Sequence, residues 1–157
     1  MRVGGRADFV PPSEETVVST SLQGVIALVT GASRGIGAAI ADHLAASGAI
    51  VVGTATSAAG AASVDVRLSP YEGCGRVLDV TDSSGVEALV DAVGKEFGPI
   101  SILVNNAGIT RDQLLLRMRE EDWNLILDTN LSSVYRLSKA VLRGMMKARK
   151  GRIISIA

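Results

Sequence analysis

Apolar residues along this chain alternate between two spacings. Val25 to Thr30 (VIALVT) is an unbroken apolar run between Gly24 and Gly31, the pattern of a strand covered on both faces. Ile36, Ile40 and Leu44 then recur at a spacing of four, which puts them on one face of a helix that Gly48 ends. Ala49 to Thr54 (AIVVGT) predicts a second strand, and Gly75 to Val80 (GRVLDV) a third. Residues 55–72 are Ala-rich and helical at first, then broken by Pro70 and Gly73, and their pattern stays ambiguous. Ser84 and Glu87 have the spacing of a capping box before an apolar face of Val86, Leu89, Val90, Val93 and Phe97. Gly98-Pro99 stops that helix before a fourth strand, Ile100 to Val104. A long helix is expected from about Glu120 to Lys150. Trp123, Ile126, Leu127, Leu131, Val134, Leu137, Val141, Leu142 and Met145 point inward in this reading, and Gly151 ends it. Arg152 to Ile156 reads as a fifth, buried strand.

Strands that alternate with helices imply a parallel sheet with helices on both faces. Right-handed crossovers reduce the topology to a doubly wound α/β fold with strand order 3-2-1-4-5. Its ligand crevice lies at the carboxyl ends of strands 1 and 4, where the order reverses.

Composition narrows the function. The chain has 157 residues, about one domain. Its 16 Lys and Arg balance 16 Asp and Glu, which argues against a general nucleic-acid binder or an acidic tail. Hydrophobic residues are 47% and aromatics only 3%, so the core is aliphatic and disorder of the whole chain is not expected. A single cysteine, Cys74, excludes an intramolecular disulfide, and with only His43 beside it a Cys/His zinc site is not expected. No apolar run approaches the ~18 residues of a membrane span. The first twenty residues hold Asp8, Glu14, Glu15, Pro11 and Pro12, which fits neither a secretory signal nor a transit peptide. Residues 1–20 are read as a flexible extension, residues 21–157 as the domain, and the location as cytoplasmic.

The chemistry sits in the turn after the first strand. In TGASRGIG (Thr30 to Gly37), Gly31 permits a tight turn, Gly35 clears space for a pyrophosphate, and Gly37 lets the helix approach the sheet. The helix N-terminus supplies free N–H groups and a partial positive charge for phosphates. The spacing G-x-x-x-G-x-G resembles the short-chain dehydrogenase/reductase family. A second motif, Asn105-Asn106-Ala107-Gly108 at the end of strand 4, is a signature of the same family.

An NAD site carries an acid about 20 residues past the glycines. Here strand 2 ends in Gly53-Thr54-Ala55-Thr56-Ser57, and the next acid is Asp65. Arg34 inside the glycine turn can pair with a 2′-phosphate, with hydroxyls of Thr54, Thr56 and Ser57 beside it. The alternative for Arg34 is a solvated loop cation. NADPH is therefore the expected cofactor. Asp79 can accept from an adenine amino group with Val80 alongside, or it can cap its own turn.

Three longer stretches, NNAGITRDQLLLRM, DTNLSSVYRLSKAV and GRIISIA, closely resemble the bacterial 3-oxoacyl-[acyl-carrier-protein] reductases within that family. The resemblance runs from about Leu22 to Ala157 and is weakest at residues 57–74. It implies a Rossmann-type fold that here lacks its last strands, and NADPH contacts at Gly31, Ala32, Ser33, Arg34, Ile36, Thr56, Asp79, Val80, Asn106, Ala107 and Gly108. It also implies a catalytic Asn130 that holds a water in a proton relay. The implied reaction is hydride transfer from NADPH to a 3-ketone of a thioester carried by acyl carrier protein, in fatty-acid biosynthesis. A Tyr acts as general acid, a Lys tunes it, and a Ser binds the carbonyl oxygen. By the resemblance, that Ser would follow Ala157 directly and the Tyr-x-x-x-Lys pair would come about a dozen residues later. The 157 residues alone are thus expected to be inactive. Acetoacetyl-CoA-type reductases share the motif set, and a non-catalytic NADPH-binding fragment is a further alternative.

Tyr135 and Lys139 also read Y-x-x-x-K, but they lie on the helix of Asn130 and are expected to be surface or subunit-contact residues. His43 is expected on an exposed face, Cys74 as a small buried group, and Trp123 as a helix anchor. Arg143, Lys147, Arg149, Lys150 and Arg152 form either a solvated helix end or a docking patch for an acidic carrier. The resemblance implies a homo-oligomer, tetrameric in the intact family.

Overall fold

The computed structural model describes residues 21–157; the extension expected at residues 1–20 lies outside the described residues. Five strands form one sheet in the order β3-β2-β1-β4-β5. They are β1 (Ile26–Val29), β2 (Ile50–Ala55), β3 (Cys74–Val77), β4 (Ile102–Asn105) and β5 (Arg152–Ser155). Every pairing is parallel. Helices α1 (Gly35–Ala46), α2 (Ala58–Leu68), α3 (Ser83–Glu96), α4 (Glu120–Leu127) and α5 (Ser133–Ala148) carry the connections. This is the doubly wound, Rossmann-type α/β arrangement that the alternation predicts.

The continuous apolar run of β1 is explained by two cores. Ile26 and Leu28 face one, with Val86 and Val93 of α3 and Leu137, Val141 and Met145 of α5. Ala27 and Val29 face the other, with Ala41 and Ala45 of α1 and Val64 and Leu68 of α2. A strand whose side chains alternate between two apolar layers has no polar face to show. Each fully buried Val or Leu in these layers contributes about 1.5–3 kcal/mol relative to exposure.

Several local expectations are corrected. The buried stripe of α1 is Gly37, Ala41 and Ala45. Ile36 is exposed, while Ile40 and Leu44 only flank the core. Small residues bring this helix close to the sheet, so the larger ones are displaced to its sides. The ambiguous stretch forms α2, capped by the Ser57 hydroxyl, which accepts from the Gly60 N–H at 3.1 Å. A 3-10 turn at Ser69–Tyr71 with Pro70 follows it. The third strand ends at Val77, because its partner β2 ends at Ala55. Leu78 makes one last bond, to the Ala55 carbonyl. The fourth strand is shifted to Ile102–Asn105. Helix α3 is capped by Asp82, which accepts from the Ser84 N–H at 3.0 Å, in place of the expected Ser84–Glu87 box. The Ser84 hydroxyl and neighbouring N–H groups hold the Asp82 carboxyl below the usual range.

The expected single long helix is interrupted. Between α4 and α5, residues Asp128–Ser132 form a π-turn. The wider turn shifts the downstream face relative to an unbroken helix, so Leu137, Val141 and Met145 are buried while Leu142 is exposed; Trp123 and Leu127 of α4 and Leu131 of the turn are exposed as well. The helix ends on Arg149 in left-handed conformation, φ 52°, instead of on Gly151. Gly151 has another role: a Cβ there would come within 2.5 Å of the Met145 sulfur. Finally, all four residues of β5 are exposed. Among the described residues it is an edge strand with β4 on one side only. His43 is exposed and Cys74 is buried; burial pushes the Cys74 thiol up. No described helix is long and apolar enough to cross a membrane.

Candidate functional site

A crevice of about 710 Å³ opens at the carboxyl ends of β1, β2 and β4. Its floor is the glycine turn between β1 and α1. Gly31 and Gly35 adopt φ of +65° and +58°, conformations that an L side chain resists. A Cβ on Gly31 would lie 3.0 Å from the Ala107 Cα, so this glycine is required for the turn to meet the loop after β4. A Cβ on Gly35 would meet nothing within 4 Å, which leaves open space beside the uncapped N-terminus of α1. That cradle fits a phosphate group.

The turn is tied to the loop after β4 by two side chains. The buried Thr30 hydroxyl accepts from the backbone N–H groups of Asn106 and Ala107, both at 3.0 Å, and donates to the Val104 carbonyl at 3.3 Å. Asn106 returns the contact: its Nδ2 donates to the carbonyls of Thr30 and Gly31 at 2.9 and 3.1 Å. Gly37 must stay small beneath this lock, because a Cβ there would come within 2.3 Å of Asn106 Nδ2.

Of the residues expected at the cofactor, Gly31, Ser33, Arg34, Ile36, Thr56, Asp79, Val80, Asn106, Ala107 and Gly108 all line the crevice. Ala32 does not: it is fully buried, and its N–H donates to the Thr54 carbonyl at 2.8 Å. Asp79 accepts from the N–H and hydroxyl of Thr81 at 2.9 and 2.7 Å, both on Oδ1, so it does cap its own turn. Asn130, the expected catalytic amide, stands in the π-turn. It accepts from the Ile109 N–H and donates to the Ile109 carbonyl, each at 2.9 Å, and thereby pins the loop after β4 from the side.

Arg111, Leu125 and Thr129 also line the crevice, and sequence reasoning missed them. Arg111 stands three residues past Gly108, in the loop at the switch point, and position alone could have flagged it. The loop is anchored by Asp122, whose side chain is buried at the start of α4. It accepts from Arg119 Nε at 3.0 Å and Gln113 Nε2 at 3.3 Å, with Arg111 Nε at 4.0 Å. The Arg119 hydrogen bond, with help from Gln113 and the two guanidinium charges, holds the Asp122 carboxyl below its ordinary value.

A sequence model of the family described as short chain dehydrogenase matches residues 25–157. The chain belongs to the short-chain dehydrogenase family. It is 60% identical over 136 residues to the 3-oxoacyl-[acyl-carrier-protein] reductase FabG of Escherichia coli (strain K12), covering 87% of this chain and 55% of that protein. The FabG of Vibrio cholerae is 59% identical over the same length and the same shares of each chain. That of Pseudomonas aeruginosa is 56% identical over 138 residues, 87% of this chain and 56% of that protein. The chain thus spans about half the length of the curated relatives it matches. As a short-chain dehydrogenase it is built for a nicotinamide cofactor, and the crevice is the place with the phosphate cradle.

Tyr135 and Lys139 are elsewhere. Both are exposed on α5, the Lys139 ammonium 5.8 Å from the Tyr135 ring centroid. They line a groove against α3 that shares no residue with the crevice.

Proposed function

We propose that this chain carries the NADPH-binding half of a reductase acting on 3-oxoacyl thioesters of acyl carrier protein, the step its relatives are named for, in fatty-acid biosynthesis. The observation that carries the cofactor choice is at the end of β2. Arg34 and Thr56 share the crevice wall. The next acid, Asp65, accepts from the Gly75 N–H at 3.1 Å, on the β3 side of α2 and away from the crevice. A 2′-phosphate therefore meets a guanidinium and a hydroxyl instead of a carboxylate. Bound NADPH would supply the hydride. Ser33, Gly35 and the N-terminus of α1 hold the pyrophosphate, Asp79 and Val80 flank the adenine, and Asn106 to Gly108 leave room for the nicotinamide ribose. Asn130 is read as the amide that orders a proton-relay water, reached from the rim through its neighbour Ile109.

The crevice is lined by no Tyr and no Lys among the described residues. The 157-residue chain by itself is accordingly read as binding NADPH without turnover. Titration followed by nicotinamide fluorescence should show NADPH binding at least tenfold tighter than NADH, with Arg34→Gln abolishing the difference. Equal affinity for the two would overturn the cofactor choice. Robust NADPH oxidation with a 3-oxoacyl thioester would overturn the inactivity.

A carrier protein in place of free CoA is favoured by the basic surface at the end of α5. Arg149, Lys150 and Arg152 stand together there around an open groove, and Arg143 and Lys147 precede them on the helix. An acidic carrier would be steered to it. Raising the salt concentration should weaken carrier binding far more than NADPH binding, and a salt-independent carrier affinity would favour the CoA-type substrate. A cytoplasmic homo-oligomer goes with this reading.

A further inference from the structure

The first three carbonyls of the glycine turn are all held by side chains. Asn106 takes those of Thr30 and Gly31. The third, Ala32, is taken by Arg67, whose guanidinium NH2 donates to it at 2.6 Å. Arg67 lies in the last turn of α2, 35 residues from Ala32 along the chain. Its Nε donates to Asp42 Oδ1 of α1, also at 2.6 Å. One planar guanidinium thus spans α2, α1 and the turn, and it does so from outside the crevice, which it does not line.

We propose that Arg67 is a positioning residue for phosphate binding by the glycine turn, an inference that rests on the NADPH reading above. A carbonyl left free at Ala32 can swing with its peptide plane, and a rotated plane withdraws the next N–H from the phosphates. Arg67 fixes that plane with a charge-assisted bond, and Asp42 fixes Arg67. The neighbouring Ala32 N–H is already fixed by the Thr54 carbonyl, so the peptide that follows, leading to Ser33, is the one Arg67 controls. Asp42 balances the guanidinium charge, which makes the contribution one of orientation. A lysine presents a point charge on one nitrogen without the rigid planar fork, so it reproduces the bridge between Asp42 and Ala32 only in part.

The test compares Arg67→Gln and Arg67→Lys with the unaltered 157-residue chain. NADPH should bind Arg67→Gln about tenfold more weakly, the loss that accompanies one charge-assisted hydrogen bond. Adenosine 2′-monophosphate, which has no pyrophosphate, should bind within about twofold of the unaltered chain. Arg67→Lys should fall between, and it carries the same comparison if Arg67→Gln does not fold. Equal weakening of both nucleotides, or unchanged NADPH affinity, overturns the proposal. If the unaltered chain binds no NADPH, the cofactor reading fails on its own. Amide exchange at Ser33 to Gly35 then decides the role of Arg67: faster exchange in Arg67→Gln supports it, and unchanged exchange overturns it.

Discussion

Thr30 and Asn106 hold each other through opposite groups: the Thr30 hydroxyl accepts from the Asn106 N–H, and the Asn106 amide donates to the Thr30 carbonyl. The two residues are 76 apart in sequence and join the strand ends where the sheet order reverses. Thr30→Val keeps the shape but leaves the N–H groups of Asn106 and Ala107 without their acceptor. An unsatisfied buried group costs about 1–3 kcal/mol, so denaturant unfolding should show a loss of about 2 kcal/mol or more. Thr30→Ser keeps the hydroxyl and should lose less than half as much. A larger loss for Thr30→Ser than for Thr30→Val would show that the methyl group, not the hydrogen bonds, matters.

Two glycines in helices should respond with opposite sign to the same substitution. Gly37→Ala places a methyl 2.3 Å from both Asn106 Nδ2 and the Gly31 carbonyl oxygen. Overpacking of this kind costs about 1–3 kcal/mol, and NADPH binding should weaken with it because the turn must move. Gly94→Ala, in α3, meets nothing within 4 Å and should stabilise by about 0.5–1 kcal/mol. Thermal unfolding of the pair checks both. A stabilising Gly37→Ala would mean that α1 stands farther from the sheet than described.

Asn105 carries a buried amide for which neither the nitrogen nor the oxygen has a hydrogen-bond partner among the described residues. Its backbone is engaged, accepting from the Ile156 N–H at 2.9 Å. Replacement by the similarly shaped leucine removes two unmatched polar atoms, so Asn105→Leu should be as stable as the unaltered chain or gain up to about 1–3 kcal/mol. A clear loss would reveal a partner for the amide outside the described residues.

The depressed carboxyl of Asp122 makes a pH prediction with a definite sign. A group whose folded pKa is lowered stabilises the fold above its unfolded pKa, near 3.9 for aspartate, and loses that effect as pH falls through the folded value. The stability difference between the unaltered chain and Asp122→Asn should stay constant at neutral pH and shrink below about pH 4. Asp82, shifted in the same direction, is present in both proteins and cancels. A difference that persists unchanged to about pH 2.5 would contradict the ion-pair anchor of the loop.

The strands and their order were legible because parallel strands covered on both faces leave continuous apolar runs, as Val25 to Thr30 does. The crevice was legible because Gly31, Gly35 and Asn106 to Gly108 are short motifs at strand ends. The packing face of α1 was hidden, since Gly37, Ala41 and Ala45 are too small to dominate a hydrophobic pattern yet alone permit the close approach. Contacts such as Arg67 to Ala32 or Asp122 to Gln113 join positions whose proximity only the folded chain creates. Nothing local in Asp128 to Ser132 announces a π-turn.

That turn gives the helix one residue of slack. A π-turn holds one residue more than the α-helical turn it replaces, so deleting a single residue from Asp128–Ser132 would close an ordinary helix and leave Leu137, Val141 and Met145 on the core face. A deletion farther along α5 meets no such slack and would turn every later residue by about 100°. Natural changes of length are therefore expected at Asp128–Ser132 and not within α5.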